Sequence, residues 1–298
     1  MGIDERFEQI TVLGAAGKMG SGISLLLAQE IVRLKNIPEN QKKPYRLNLI
    51  DVRQEGLDGA LNYVRTQCTR KAESNVDRLR TLYYNREDLK TDDQIVRAFV
   101  DDALSVISTH TDIQQAADSR LVFEVVPEDE QLKIDTLRTV GDICPSSYFF
   151  SNTSSIPIGF LDQEAGLGGR LIGSHFFNPP AVQKLFELIP SSATRPELTE
   201  IARDLGRRLG KTVVFSGDVA GFIGTGHFVR EALYALDQAG NLRDRFGVHG
   251  AIYALNKISQ EGLIRPMGTF QLLDYIGLDV ILSVLRVMAK HIDRETYR

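Results

Sequence analysis

The chain has 298 residues, a formal net charge of −4, and 43% hydrophobic and 25% charged residues. This composition is typical of a globular protein with one large domain or two ordinary ones. The slightly acidic balance argues against general nucleic-acid binding, and no apolar run approaches the ~18 residues of a membrane helix. We therefore expect neither nucleic acid nor membrane among the partners.

The cysteines and the N-terminus predict a cytoplasmic protein. Cys68 and Cys144 stand alone, without a CxxC motif, which favours a reducing compartment. The N-terminal sequence MGIDERFEQ is acidic. It has neither the apolar core of a secretory signal nor the Arg-rich character of a transit peptide.

Strands and helices alternate in the first two thirds of the chain. The apolar run Ile10–Leu13 ends at a glycine turn, and helical periodicity follows from Ile23 to Leu34. Leu47–Val52 predicts a second strand, and residues 54–104 predict helices. The later predicted elements are strands at Leu121–Val126, Tyr148–Ser151, Leu171–Phe177, Leu185–Ile189 and Val213–Phe215, with helices over Lys133–Val140 and Arg195–Leu209.

The pattern changes near the small-residue segment Ser216–Gly221, and from Phe222 onward the periodicity is mostly helical. This order predicts an α/β fold, a Rossmann-type doubly wound sheet followed by a smaller all-α domain. We place the domains at residues 1–216 and 217–298.

A glycine-rich turn predicts a dinucleotide site. Gly14, Gly17 and Gly20 lie between the first strand and its helix, where Lys18 and Met19 occupy the first helical turn. Glycines at such a turn let the chain reverse, approach a pyrophosphate and pack helix against strand, while the helix N-terminus offers N–H groups to phosphate. The spacing is GxxGxxG rather than GxGxxG, and a purely structural turn is the alternative.

Asp51 ends the second predicted strand and favours NAD as the cofactor. A carboxylate there accepts hydrogen bonds from both ribose hydroxyls and repels the 2′-phosphate of NADP. Two features leave the alternative open. Asp51 lies further from the glycines than the usual ~20 residues, and Arg53 offers a positive charge to a 2′-phosphate.

His175 is the candidate general base. It ends an apolar strand in GSHFFNPP, and Glu187 follows at the end of QKLFE. A strand, a Pro-Pro turn and a second strand would bring the two side chains together. A carboxylate on one imidazole nitrogen fixes the tautomer and raises the basicity of the other nitrogen. The alternative is a histidine satisfied in the core. No histidine pair has metal-ligand spacing, so we predict no metal site.

Five motifs carry a resemblance to a known family. They are SNTSS (Ser151–Ser155), GSHFFNPP (Gly173–Pro180), KLFELI (Lys184–Ile189), GFI (Gly221–Ile223) and RPMGTFQLLDYIGLD (Arg265–Asp279). In order and approximate spacing the chain resembles the L-3-hydroxyacyl-CoA dehydrogenase family of fatty-acid β-oxidation, which includes the 3-hydroxybutyryl-CoA dehydrogenases.

The resemblance implies roles for four catalytic residues. His175 would be the general base toward the 3-hydroxyl, and Glu187 its partner. Ser154 would hydrogen-bond the reacting oxygen and His175, and Asn178 would hydrogen-bond the thioester side of the substrate. As plain residue types, Ser154 and Asn178 are also common in turns.

The resemblance also implies contacts to the cofactor. Glu128 and Lys133 would lie along the nicotinamide-ribose part of NAD, although alone they are typical of a solvated helix start. Basic residues between Arg65 and Arg80 would face the phosphates of CoA, with a solvated helix face as the alternative. The family dimerises through its helical domain, so we expect a homodimer.

The chain departs from the family pattern in two further places. The family reads GFIVNR where this chain has GFIGTG, so Thr225 stands in place of an asparagine as a substrate contact. The family's glycine-rich GFYxY-like ending is missing after the GLD motif. We expect either a trimmed form or a natural chain that continues beyond Arg298.

Together these features predict an oxidoreductase. It would interconvert (S)-3-hydroxyacyl-CoA and 3-oxoacyl-CoA by hydride transfer to NAD. Two alternatives stay open at this stage: a related dehydrogenase acting on a free hydroxy acid, and an NAD-binding protein with little activity.

Overall fold

An eight-stranded sheet forms the centre of the N-terminal part of the chain in the computed structural model, which describes residues 2–292. Its strands are β1 (Gln9–Leu13), β2 (Arg46–Ile50), β3 (Ile107–His110), β4 (Leu121–Glu124), β5 (Tyr148–Ser151), β6 (Leu171–Phe176), β7 (Leu185–Ile189) and β8 (Thr212–Phe215). Their spatial order is β3-β2-β1-β4-β5-β6-β7-β8.

The first six strands are all parallel, in the order expected of a Rossmann sheet. β7 then pairs antiparallel with β6, and β8 runs parallel to β7. The strand order reverses between β1 and β4. Ligands of open α/β sheets bind in the crevice at such a reversal, outside the carboxyl ends of the strands.

Helices cover the sheet. They are α1 (Ile3–Arg6), α2 (Lys18–Lys35), α3 (Gln54–Glu73), α4 (Val76–Leu82), α5 (Asp92–Ser105), α6 (Glu130–Ile143), α7 (Ile158–Ala165) and α8 (Pro196–Arg208). α2, α3 and α5 pack against one another, as do α6 and α7. Because crossovers between parallel strands are right-handed, the two groups lie on opposite faces, and the sheet is doubly wound as predicted.

β4 shows why the central strands form. All four of its residues, LVFE, are buried, as expected for a parallel strand covered on both faces. By contrast β3, with the sequence ISTH, was not predicted. Its four residues are all half-buried and only one is aliphatic, so it lacks the apolar run that marks the central strands.

The chain divides into two compact units by its contacts. Of the described residues, 2–153 form the first unit together with Ile158–Ser216. Ser154–Pro157 and residues 217–292 form the second. The sequence predicted a single boundary after residue 216, which would place Ser154–Pro157 in the first domain. In the structure this short segment groups with the second unit instead.

The second unit is helical, as predicted. It contains α9 (Gly224–Lys257), a π-helical turn (Ile258–Gly262), α10 (Thr269–Ile276) and α11 (Leu278–His291). Gly247, with φ at 69°, interrupts the long helix α9. The buried side chains of this unit form small clusters, one around Val229, Val284 and Met288.

Candidate active site

The glycine turn lies against the end of β4, at the point where the strand order reverses. Gly14 has a φ of 78°, and a Cβ on it would lie 2.6 Å from the backbone oxygen of Val125. A Cβ on Gly20 would overlap the backbone of Gly14 and Ala15. Local packing therefore requires glycine at both positions.

Gly17 differs from its two neighbours. Its φ is −72°, and the nearest atom to a Cβ at this position would be Gly14 O at an ordinary 3.5 Å. Packing does not require glycine here. Gly17 is the N-cap of α2, and no side chain caps this helix end. Of the two residues that follow, Lys18 is exposed and Met19 is half-buried. Open space and helical N–H groups at one point suit a phosphate group.

Asp51 lies beside this turn, although the two are far apart in the sequence. Its Oδ2 accepts a hydrogen bond from Ala16 N at 3.1 Å, and its Oδ1 accepts one from Arg53 N at 3.3 Å. A carboxylate has about four acceptor positions, so Asp51 retains capacity for ribose hydroxyls. The turn and Asp51 together fit the phosphates and adenosine ribose of a dinucleotide.

His175 and Glu187 form a buried cross-strand pair. The antiparallel register of β6 and β7 places them directly opposite each other. Glu187 Oε2 lies 2.8 Å from His175 Nδ1, and their side chains are 1% and 6% exposed. The predicted strand–turn–strand arrangement thus brings the two together. Glu187 fixes the proton on Nδ1, which leaves Nε2 as the acceptor nitrogen.

The residues around His175 hold the end of β6. Asn152 Oδ1 accepts a hydrogen bond from Phe176 N at 2.8 Å, and the rings of His175 and Phe177 lie 4.5 Å apart. Asn178 follows in an exposed bend. It therefore lies close along the chain to His175, at the edge of the sheet where β6 ends.

The other predicted substrate contacts belong to the second unit. Ser154 is the first residue of the excursion that groups with it, and Thr225 lies in the first turn of α9. Within that unit, Gly221 N donates a hydrogen bond to Ser155 O at 3.2 Å. Gly221 has a φ of 84°, which favours glycine at this position.

A fully buried ion pair joins the last residue of β4 to α6. Lys133 Nζ donates to Glu124 Oε1 at 2.7 Å, and the two side chains are 1% and 0% exposed. Lys133 also donates to Val126 O at 3.0 Å, and its Nζ lies 3.5 Å from Glu128 Oε2. Burial alone would lower the pKa of Lys133, but Glu124 and Glu128 outweigh it and raise that pKa.

Hydrogen bonds connect Glu124 and Glu128 to residues 151–153, the segment before Ser154. Ser151 Oγ donates to Glu124 Oε2 at 2.5 Å, and Thr153 Oγ1 donates to Glu128 Oε1 at 2.7 Å. The backbone N of Asn152 donates to Glu124 O at 2.9 Å. Glu124, at the end of β4, therefore bonds both to Lys133 of α6 and to the segment 151–153.

Glu124, Ser151 and Thr153 were not singled out from the sequence. The available signal was a charged residue inside the apolar run LVFEVV, because a buried carboxylate requires a cationic or hydrogen-bonding partner. The sequence alone does not say that Lys133, in the helix that follows, supplies it.

Comparisons with known proteins fit this geometry. Residues 9–219 match the family described as 3-hydroxyacyl-CoA dehydrogenase, NAD binding domain, and residues 250–298 match its C-terminal domain. The chain belongs to the 3-hydroxyacyl-CoA dehydrogenase family. The predicted resemblance, the NAD-binding character and the fold class are confirmed by these matches.

Two relatives illustrate the similarity. A probable 3-hydroxybutyryl-CoA dehydrogenase of Bacillus subtilis is 28% identical over 295 residues, which is 98% of this chain and 88% of the relative. A probable 3-hydroxybutyryl-CoA dehydrogenase of Deinococcus radiodurans is 33% identical over 192 residues, which is 63% of this chain and 66% of the relative.

A solved structure shows the same fold. The crystal structure of (S)-3-hydroxybutyryl-CoA dehydrogenase PaaH1 from Ralstonia eutropha superposes with a TM-score of 0.75 at 24% identity. The match covers 98% of this chain and 90% of that structure. Among residues 2–292, no helix combines the length and apolar character needed to span a bilayer, and no group of three or more His, Cys, Asp or Glu is arranged to hold a metal ion.

Proposed function

We propose that this protein interconverts (S)-3-hydroxyacyl-CoA and 3-oxoacyl-CoA with NAD as the hydride acceptor or donor. The observation that carries the proposal is the buried His175–Glu187 pair, held by strand pairing at the carboxyl end of β6. It stands in a chain of the NAD-dependent 3-hydroxyacyl-CoA dehydrogenase family.

In the oxidative direction, His175 Nε2 takes the proton of the substrate's 3-hydroxyl. Glu187 accepts the hydrogen bond from Nδ1–H and stabilises the imidazolium that forms. NAD, when bound, supplies the nicotinamide carbon that receives the hydride from the substrate carbon bearing the 3-hydroxyl. The C–H and O–H bonds break and a carbonyl forms, so protons and electrons balance.

For the cofactor, we assign the phosphates to the turn with Gly14, Gly17 and Gly20, including the N–H groups of Lys18 and Met19. Asp51 would accept hydrogen bonds from the adenosine ribose. Glu128, only partly buried beside the end of β4, would face the nicotinamide ribose.

For the substrate, we assign hydrogen bonds to Ser154, Asn178 and Thr225. The relatives named 3-hydroxybutyryl-CoA dehydrogenase support an acyl-CoA substrate. At position 225 the family pattern has asparagine. The Thr225 hydroxyl donates and accepts through a single oxygen, whereas an amide has a separate donor nitrogen and acceptor oxygen. We therefore expect looser recognition of the acyl group at this position.

The proposal includes a homodimer and a cytoplasmic location. Large apolar side chains are exposed on the second unit, including Leu236, Tyr253, Tyr275 and Leu278 at 52–66% exposure, and exposed apolar surface of this kind marks protein interfaces. Cys68 and Cys144 are buried free thiols, which agrees with a reducing compartment.

The deciding experiment is NADH oxidation with acetoacetyl-CoA, compared with free 3-oxo acids and with no substrate. We expect turnover on the thioester and little on the free acids. Turnover only on free acids would replace the proposal with a hydroxy-acid dehydrogenase. NADH binding without turnover on either would identify an NAD-binding protein without this activity.

A further inference from the structure

Arg53 lies beside the carboxylate that we assign to the adenosine ribose. It follows Asp51 by two residues and is the N-cap of α3. Asp51 Oδ1 accepts a hydrogen bond from Arg53 N, while Asp51 Oδ2 accepts one from Ala16 N of the glycine turn. The carboxylate is therefore held between the glycine turn and the backbone of Arg53.

The guanidinium of Arg53 lies beside the first turn of α3, close to the glycine turn. A Cβ on Gly56 would lie 3.8 Å from Arg53 Nη2 and 2.7 Å from the Cβ of Ala16. The guanidinium and Ala16 are thus neighbours of the same point on α3. Because Ala16 N also bonds to Asp51, a positive and a negative side chain flank the place assigned to the ribose.

No acidic side chain neutralises this guanidinium within residues 2–292, where Arg53 forms no ion pair and is exposed. Asp58, further along α3, accepts a hydrogen bond from Gln54 Nε2 at 2.9 Å. A guanidinium has five N–H donors in a planar fork. Those of Arg53 are therefore available to a ligand.

We propose that Arg53 is a specificity-determining residue that admits NADP(H) as a second cofactor beside the preferred NAD. The inference rests on the proposed function, which assigns the adenosine ribose to Asp51. A 2′-phosphate brings a charge of about −1.5 to −2 at pH 7, and Asp51 alone would repel it. The Arg53 guanidinium donates two parallel hydrogen bonds to a phosphate and offsets that repulsion.

The two side chains make different contributions to the two cofactors. Asp51 accepts hydrogen bonds from the hydroxyls of NAD and opposes the 2′-phosphate of NADP. Arg53 contributes to NADP alone, because the 2′-hydroxyl of NAD carries no charge for it to pair with. Replacing Arg53 should therefore change the binding of one cofactor and leave the other as it was.

The test measures the Kd of NADH and of NADPH by fluorescence titration without substrate. In wild type we expect the Kd of NADPH to exceed that of NADH by less than a hundredfold. Arg53→Gln should raise the Kd of NADPH at least fivefold and change that of NADH less than twofold. Arg53→Lys keeps the charge without the planar fork, so its Kd for NADPH should lie between those of wild type and Arg53→Gln.

The complementary variant removes the repulsion. Asp51→Asn should lower the Kd of NADPH at least tenfold and raise that of NADH. In the double variant Asp51→Asn/Arg53→Gln the Kd of NADPH should be at least fivefold higher than in Asp51→Asn, because no cation remains to hold the phosphate. Since Asp51 bonds to the glycine turn, the melting temperature of each variant is measured as a check on folding.

Two fragments isolate the 2′-phosphate from the rest of the dinucleotide. Adenosine 5′-monophosphate and adenosine 2′,5′-bisphosphate differ only in that group, and each is titrated by its displacement of NADH. Arg53→Gln should weaken the bisphosphate at least fivefold and change the monophosphate less than twofold. This readout needs neither nicotinamide chemistry nor an acyl-CoA substrate.

Arg46→Gln is the matched control. Arg46 is exposed at the opposite end of β2 and loses the same charge on substitution. We expect the Kd of both dinucleotides to stay within twofold of wild type. A change confined to Arg53 then reports a local contact rather than the net charge of the protein.

Three results would overturn the inference. They are a wild-type Kd for NADPH more than a hundredfold above that of NADH, a rise of less than fivefold for NADPH in Arg53→Gln, and an equal rise for both dinucleotides in that variant. The last pattern belongs to a residue that contacts their shared part. If NADH itself does not bind, or wild type does not reduce acetoacetyl-CoA, the proposed function fails, whereas NADH binding with NADPH excluded overturns this inference alone.

Discussion

The two units bury their apolar side chains to different extents. The first unit encloses a large core on its sheet, in which Phe123, Phe150 and Phe186 are at most 1% exposed. Among residues 2–292, most of the large apolar side chains that remain exposed belong to the second unit. Its buried clusters are small and rich in alanine and valine.

The difference suggests a division of labour. A unit with a complete core provides a rigid frame for the cofactor turn and for the His175–Glu187 pair. A unit with an incomplete core gains stability by covering its surface against another molecule. Changes in the first unit should therefore affect chemistry, and changes in the second should affect assembly.

The largest expected effect is on the general base. His175→Gln should lower kcat by about 10²–10⁴-fold, because proton transfer to a positioned base contributes about that factor. NADH Kd should stay near wild type, which fluorescence titration measures. His249→Gln, at an exposed position on α9, is the matched control and should keep wild-type kcat. Activity that survives His175→Gln would remove His175 from the mechanism.

The second prediction concerns assembly. Leu278 is 66% exposed at the start of α11. Leu278→Lys should weaken the dimer about 100-fold, because a symmetric interface loses about 1.5 kcal/mol at each of two copies. Sedimentation across a concentration series measures the shift. Tyr84→Lys, at a similarly exposed position on the first unit, should leave the dimer intact. Equal effects of both variants would contradict the division of labour.

The third prediction separates the glycines of the turn. Gly17→Ala should raise NADH Kd about tenfold, because its methyl group would occupy the approach of a phosphate. Its cost in stability should be at most about 1 kcal/mol, the range for an N-cap change. Gly14→Ala should instead lower the melting temperature, since its φ and its contact with Val125 both exclude a Cβ. Calorimetry and titration of both variants distinguish the two cases.

The smallest predicted effect is a pH dependence. Burial, followed by the charges of Lys184 and Lys71, lowers the pKa of Lys211 to about 8. An unfolded lysine has a pKa of about 10.4, so between these values the unfolded state binds more protons. The contribution of Lys211 to stability therefore rises with pH across this window. The difference in unfolding free energy between wild type and Lys211→Met, measured by chemical denaturation, should increase from pH 8 to about 10.4.

The sequence predicted the parts of the site that depend on local pattern. The turn around Gly14 and the pairing of His175 with Glu187 follow from strand, turn and strand, because the residues between them leave few other arrangements. Asp51 was also predicted to belong to the dinucleotide site, as the carboxylate that ends the second strand.

The Glu124–Lys133 network was not predicted, for a physical reason. Glu124 is a charge in an apolar strand, which indicates that it needs a partner, but which residue supplies the partner is set by how a helix packs on a strand. β3 was missed because an edge strand with half-buried residues carries little apolar signal. Tertiary packing decided both features.

The antiparallel pairing of β6 and β7 also limits how such a chain can change length over evolution. The connection between these strands can gain or lose residues while the ladder is kept. A single residue inserted between Glu187 and Ile189 would instead turn the carboxylate to the opposite side of the sheet if Ile189 kept its partner Gly173, since side chains alternate. Length variation is therefore permitted in the loop and forbidden in the strand, although only a few residues separate the two.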